Sequence, residues 1–204
     1  MIKGVKICGI SDITTLTHIL DHDFPPKFIG FICDYKKSKR YVSYERLKTL
    51  LNVDRKNTNF VSVLVNPENE VLERMKKLNF DFLQLYNVEP KKTKMIKEKY
   101  GIKIITALTI IDQNDVNEYK NYMGISDIFL FDGKGYEKSI GFDHKLLNSV
   151  PKSLNKMIAG NIKLDDIPKF NDKGIYVDLS GALENEDGRK DVNKIDRLLN
   201  LVNK

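Results

Sequence analysis

Apolar and polar positions follow one another along this chain in a repeating order. Short runs rich in Ile, Val, Leu and Phe recur at GVKICGI (4–10), KFIGFICDY (27–35), NFVSVLVN (59–66), FDFLQLYN (80–87), IKIITALTI (102–110), SDIFLFDG (126–133), NKMIAGNI (155–162) and GIYVDLSG (174–181). Each run has the length of a buried strand, and each is followed by a more polar stretch with helical spacing. VSYERLKTLLN opens with Ser43 as a predicted N-cap and sets Leu47, Leu50 and Leu51 on one face. ENEVLERMKKL groups Val71, Leu72, Met75 and Leu78 in the same way, and DVNKIDRLLNLV groups Val192, Ile195, Leu198, Leu199 and Val202.

Eight strands, each with a helical partner, imply repeated βα units and a parallel sheet covered by helices. Two architectures satisfy that pattern, an open doubly wound sheet and a closed (β/α)8 barrel. No GxGxxG follows the first strand, which argues against a dinucleotide-binding sheet. The expected fold is therefore α/β, a single-domain (β/α)8 TIM barrel over residues 1–204, at the short end for that fold. Strand parity then sorts side chains into two sets. Ile128, Leu130 and Asp132 share one face while Phe129 and Phe131 share the other, which suits a layer beneath helices. By the same rule Cys8 lies on the face of Lys6, and Ile7 points to the helices.

Composition narrows the class. The apolar fraction is 41%, enough for a core, and the net charge is +6. The lysines are interspersed with acids, as in MKKLNFD and KEKYGIK, without the concentrated basic stripe of a nucleic-acid binder. No nucleic-acid partner is expected. Two cysteines, Cys8 and Cys33, are too few for a disulfide scaffold and show no zinc spacing. No apolar run approaches the ~20 residues of a membrane span, and no signal-peptide pattern follows the first Met. A cytoplasmic protein with no membrane partner is the expectation.

A barrel places chemistry at the carboxyl ends of its strands. Polar and small residues gather there: Cys8 and Gly9, Asp34 with KKSKR, Asn66, Gln84 with Tyr86 and Asn87, Asp132 and Gly133, Gly160 and Asn161, and Asp178, Ser180 and Gly181. Barrel enzymes often hold a phosphate at the loops after strands seven and eight, and Gly160–Asn161 and Ser180–Gly181 fit that position. Taken singly, Cys8 is a small apolar filler or a nucleophile or base, and Arg40 belongs to a solvated basic run. Lys6 reads as a buried, paired residue and Cys33 as packing. His18, His22 and His144 have no metal spacing.

Seven segments resemble one family in order along nearly the whole chain. KICGI is similar to the first-strand signature of phosphoribosylanthranilate isomerases, barrel enzymes of tryptophan biosynthesis. GFICDYKKSKRYVS, FVSVLVNPENE, FLQLYNVEP, LFDGKG, IAGNI and VDLSGALENEDGRKDVNKI resemble that family's successive strand-end segments. The resemblance implies an Amadori rearrangement of N-(5-phosphoribosyl)anthranilate to 1-(2-carboxyphenylamino)-1-deoxyribulose 5-phosphate. It implies Cys8 as general base, Asp132 as general acid, Arg40 on the anthranilate carboxylate and Asp178 near the ribose. It implies a small phosphosugar-anthranilate substrate as partner, no metal and no organic cofactor, and a monomer or homodimer. An acid of raised pKa and a thiolate of lowered pKa suit that chemistry. A different phosphosugar barrel enzyme would instead call for metal-ligating histidines or a Schiff-base lysine.

Three departures stand out. Gln84-Leu85-Tyr86-Asn87 replaces the family's usual QLHG, so an aromatic hydroxyl stands where His is usual. The loop after strand six reads GKGYEKSIGFDH rather than a glycine-rich GGxG type, and Leu179 replaces a Ser in the strand-eight turn.

Overall fold

A computed structural model describes residues 2–135, 140–171 and 173–203. Eight parallel strands close into a barrel in sequence order, with β8 pairing back onto β1. They are β1 (Gly4–Cys8), β2 (Phe28–Ile32), β3 (Asn59–Val65), β4 (Phe82–Tyr86), β5 (Lys103–Ile110), β6 (Ile128–Gly133), β7 (Lys156–Ile158) and β8 (Tyr176–Leu179). The seventh apolar run is mostly turn: only Lys156–Ile158 extends as strand, and Ala159–Ile162 begins the loop that follows.

Helices cover the outside unevenly. Helices α1 (Ile13–Asp21), α2 (Tyr44–Leu50), α3 (Asn69–Lys76) and α4 (Pro90–Tyr100) follow β1 to β4. Asp12 caps α1 by accepting from the Thr15 N–H at 2.8 Å, and Ser43 caps α2 as its sequence predicts. Gly101, in the left-handed region at φ 60°, ends α4. The expected helical partners of β5, β6 and β7 are reduced. A five-residue α5 (Gln113–Asn117) runs on into a 3-10 turn, and 3-10 segments over His144–Ser149 and Leu164–Phe170 do the covering elsewhere. Pro168, which has no N–H to donate, sits inside the last of these and keeps it from being an α-helix. These short crossovers let eight units fit in 204 residues. The final helix, α6 (Val192–Val202), buries Ile195, Leu198 and Leu199, whereas Val192 faces solvent beside the Asp191 cap. Among the described residues no helix is long and apolar enough to cross a membrane.

Parity gives two cores. The outer one lies between sheet and helices and holds Ile7, Ile29, Phe129 and Phe131. The inner one fills the barrel. Following the strand register two strands at a time stacks the inward residues of the even strands in layers of four. Phe28, Phe82, Ile128 and Tyr176 close the bottom, with Phe28 meeting Phe82 and Tyr176 edge-on at 5.5 and 5.1 Å. Gly30, Gln84, Leu130 and Asp178 lie above them, and Ile32, Tyr86, Asp132 and Ser180 form the rim. Between these layers the odd strands insert Lys6 and Cys8, one layer apart. The barrel is thus apolar at its base and polar at its carboxyl end, where such folds carry their chemistry.

Candidate active site

Cys8 ends β1, and the two residues after it turn the chain sharply. The Gly9 and Ile10 N–H groups both donate to the Gly30 carbonyl, at 2.8 and 3.2 Å. Gly9 sits at φ 80°, and a Cβ there would come within 2.5 Å of the Arg40 side chain. Glycine is required at this turn for its conformation and for the close approach of Arg40. Gly30 makes room of a different kind. A Cβ on it would lie 2.9 Å from the Cys8 Sγ and 3.0 Å from the Lys6 Nζ. The empty position on β2 is what lets the thiol and the ammonium meet inside the barrel.

Lys6 is fully buried, and its Nζ donates to the Asp178 Oδ2 at 2.8 Å. Burial opposes its charge, but Asp178 and Cys8 outweigh burial and raise its pKa to about 12. A lysine held so firmly as ammonium is the opposite of a Schiff-base amine. Its charge favours the Cys8 thiolate, yet burial acts more strongly in the other direction and lifts the Cys8 thiol above its ordinary value. The lowered pKa that would suit a thiolate base is thus not present in the free protein, where Cys8 is a thiol beside a fixed cation. Cys33 donates to the Phe31 carbonyl at 3.2 Å, and burial pushes it up to about 12, as befits core packing.

Across the mouth, Asp132 comes from β6. Its Oδ2 accepts from the Tyr86 hydroxyl at 2.8 Å, and Tyr86 accepts from the Gln84 Nε2 at 3.2 Å. Asp178 keeps a buried Oδ1 with no protein partner among the described residues. Ser180 donates to the Cys8 carbonyl at 3.0 Å and accepts from Lys190, so its hydroxyl proton braces strand one rather than pointing outward. Gly160 and Asn161 turn the chain after β7 at φ 94° and 53°.

Arg40 reaches the same mouth from the loop after β2. Its Nε and Nη2 donate to both oxygens of Glu184, which also accepts from Lys190 at 3.0 Å. These donors outweigh burial and hold the Glu184 carboxyl down at about 2. Glu184 and Lys190 were not singled out from sequence. Their positions, six residues apart in the loop after β8, carry no periodic signal, and only the closed barrel brings them to Arg40.

Cys8, Arg40, Asp132, Gly160, Asn161, Asp178, Ser180 and Gly181 all line one cavity of about 550 Å³. Tyr86, Gln84 and Lys163 line it too, with Ile32, Val63 and Val65 as an apolar wall. A wider, more open hollow of about 650 Å³ lies between α1 and α6, away from the strand ends. There His18 meets Asp196 at 2.6 Å; His144 instead packs against Phe142 and Phe170. Among the described residues no three His, Cys, Asp or Glu side chains are grouped to hold a metal ion.

Comparison with known proteins converges on one family. Residues 5–201 match the family model described as N-(5'-phosphoribosyl)anthranilate (PRA) isomerase. The chain is 30% identical, over its full length and 96% of the relative, to the N-(5'-phosphoribosyl)anthranilate isomerase of Agrobacterium fabrum. The crystal structure of the phosphoribosyl anthranilate isomerase from Thermotoga maritima superimposes with a TM-score of 0.85 at 24% identity, covering 98% of this chain and 97% of that one. A phosphoribosyl anthranilate isomerase in complex with reduced 1-(o-carboxyphenylamino)-1-deoxyribulose 5-phosphate gives 0.82 at 23% identity over the same shares. A family match across nearly every residue, on a barrel whose strand ends gather into one polar cavity, leaves a single conclusion: this chain belongs to the N-(5'-phosphoribosyl)anthranilate isomerase family.

Proposed function

We propose that the protein isomerises N-(5-phosphoribosyl)anthranilate to 1-(2-carboxyphenylamino)-1-deoxyribulose 5-phosphate, with Asp132 as general acid and Cys8 as general base. The observation that carries the reading is the convergence of Cys8 from the end of β1, Asp132 from β6 and Arg40 from the loop after β2 on one cavity. Family membership supplies the reaction, and the cavity supplies groups of the right kind for each step.

In the first step Asp132 gives its proton to the ribose ring oxygen. The C1–O bond breaks, and the anthranilate nitrogen lone pair forms a C1=N bond. In the second, Cys8, ionised by loss of its thiol proton to solvent, takes the C2 proton as thiolate, and the electrons of that C–H bond form C1=C2 as the iminium is neutralised. The resulting enolamine passes its C2 hydroxyl proton to the Asp132 carboxylate and receives at C1 the proton held by the Cys8 thiol, which gives the ketose and restores both groups. One acid and one base on a fixed sugar suffice for this shift. Lys6 lies beside the Cys8 thiol as the permanent cation that a developing thiolate needs.

The remaining groups fit the rest of the substrate. Arg40, whose Nε and Nη2 are held by Glu184, turns its remaining Nη1 side to the anthranilate carboxylate, and Ile32, Val63 and Val65 offer the ring an apolar wall. The Gly160–Asn161 and Ser180–Gly181 turns, with Lys163, take the phosphate. The unpartnered Oδ1 of Asp178 accepts from a ribose hydroxyl. The test is direct: the purified protein is mixed with freshly generated phosphoribosylanthranilate and loss of anthranilate fluorescence is followed. Catalysed loss is expected, and a folded protein that leaves the fluorescence unchanged overturns the reading.

A further inference from the structure

Position 86 is where this chain departs from the QLHG pattern, and the structure shows what the replacement does. Tyr86 points into the barrel from the end of β4, buried to 7% exposure. Its oxygen accepts from the Gln84 Nε2, a group that can only donate, and its single proton goes to Asp132 Oδ2. Gln84 lies one layer below on the same strand, itself 1% exposed. The direction of the chain is thus set from below: Gln84 to Tyr86 to Asp132.

We propose that Tyr86, aligned by Gln84, is the positioning residue of the acid: its hydroxyl bond to Oδ2 holds the Asp132 carboxyl in one orientation. This rests on the isomerase reading for the identity of the reaction. Asp132 itself lines the cavity, so a carboxyl held in one orientation there can meet the substrate in a fixed geometry. Burial and the neighbouring Asp132 keep the phenol protonated well beyond its ordinary range, so Tyr86 remains a donor throughout.

The same bond acts on the rate. A hydrogen bond to a carboxylate is stronger than one to a neutral carboxyl. As Asp132 gives up its proton the Tyr86 bond tightens, so it stabilises the transition state more than the bound ground state. Its loss therefore appears in kcat and leaves KM in place.

Tyr86→Phe removes one oxygen and keeps the ring packing. Two readouts test the proposal: steady-state kinetics, and a carboxyl ¹³C NMR titration with the Asp132 resonance assigned by its absence in Asp132→Asn. Among the described residues, Cys8 on β1, Asp178 on β8 and Lys163 beyond β7 line the same cavity as Asp132, and Tyr86→Phe leaves all three in place. The expected result is a kcat lower by about tenfold or more, a KM within about threefold of wild type, and an Asp132 titration moved up by about one pH unit. An unmoved Asp132 titration overturns the proposal whatever the rate does, because a packing role alone would leave it there. An unchanged kcat overturns it as well. A wild type with no turnover defeats the isomerase reading instead, and the titration then decides the positioning claim by itself.

Discussion

Gly30→Ala adds one methyl group at the point where the Cys8 thiol and the Lys6 ammonium meet. The new Cβ would stand 2.9 Å from the Cys8 Sγ and 3.0 and 3.1 Å from the Lys6 Nζ and Cε. Neither neighbour can give way freely. The Cys8 backbone is held by the Gly9–Gly30 hydrogen bond and by the Ser180 hydroxyl, and Lys6 is tied to Asp178. Overpacking of this kind costs about 1–3 kcal/mol. At about 2–4 °C per kcal/mol for a chain of this size, the Tm falls by about 2–12 °C. If Cys8 is the base proposed above, the rate falls further than the stability, because displacing such a group by about 1 Å costs on the order of a hundredfold. Thermal denaturation followed by circular dichroism and the fluorescence assay read the two effects. In a Cys8→Ala background the sulfur is gone, and Gly30→Ala is expected to cost about 0.5 kcal/mol less, or better. Wild-type Tm and rate in Gly30→Ala, or an equal stability cost in both backgrounds, would refute the steric argument.

Alkylation of Cys8 by iodoacetamide, followed by peptide mass spectrometry, is expected to reach half its limiting rate above pH 9, since burial raises the thiol from its 9.0 reference. Lys6→Met removes the cation that opposes this rise, so its inflection moves higher still; an inflection below pH 8 in the wild type would contradict the burial argument. Glu184 is held near 2 against an ordinary 4.5, so its contribution to stability is present in full above about pH 4.5 and is lost as pH falls toward 2. Urea denaturation should show Glu184→Gln less stable than wild type by about 1–3 kcal/mol at pH 7, with the gap narrowing at pH 3. A gap that stays constant would show that the carboxylate charge is not what Arg40 and Lys190 hold.

Much of this arrangement was legible before the fold was known, for reasons that particular residues make plain. Alternation in SDIFLFDG separates Asp132 from Phe129 and Phe131 because a strand has period two, and the barrel keeps that separation. Ser43 and the leucines of α2 were readable because capping and helical spacing are local. The helices after β5 to β7 were not, since their apolar residues serve short 3-10 turns that only need to cover one strand. Val192 carries the right spacing but sits in the first turn of α6, at the edge of what the helix buries. The residues of the cavity that motif reading located are those on strand ends. Glu184 and Lys190, and the direction of the Gln84–Tyr86–Asp132 chain, depend on distances across the barrel that one-dimensional spacing does not encode. The balance at the Cys8 thiol was not legible either, because the depth of burial that outweighs the Lys6 charge is set by the closed barrel.

The central claim is that Cys8 and Asp132 move the protons. It is tested most directly by the turnover of phosphoribosylanthranilate by wild type, Cys8→Ala and Asp132→Asn, each shown folded by its thermal transition. The account predicts turnover by the wild type and losses of about two or more decades in each variant, the usual share of a general acid or base. A folded Cys8→Ala or Asp132→Asn that keeps its rate within threefold of wild type would contradict it.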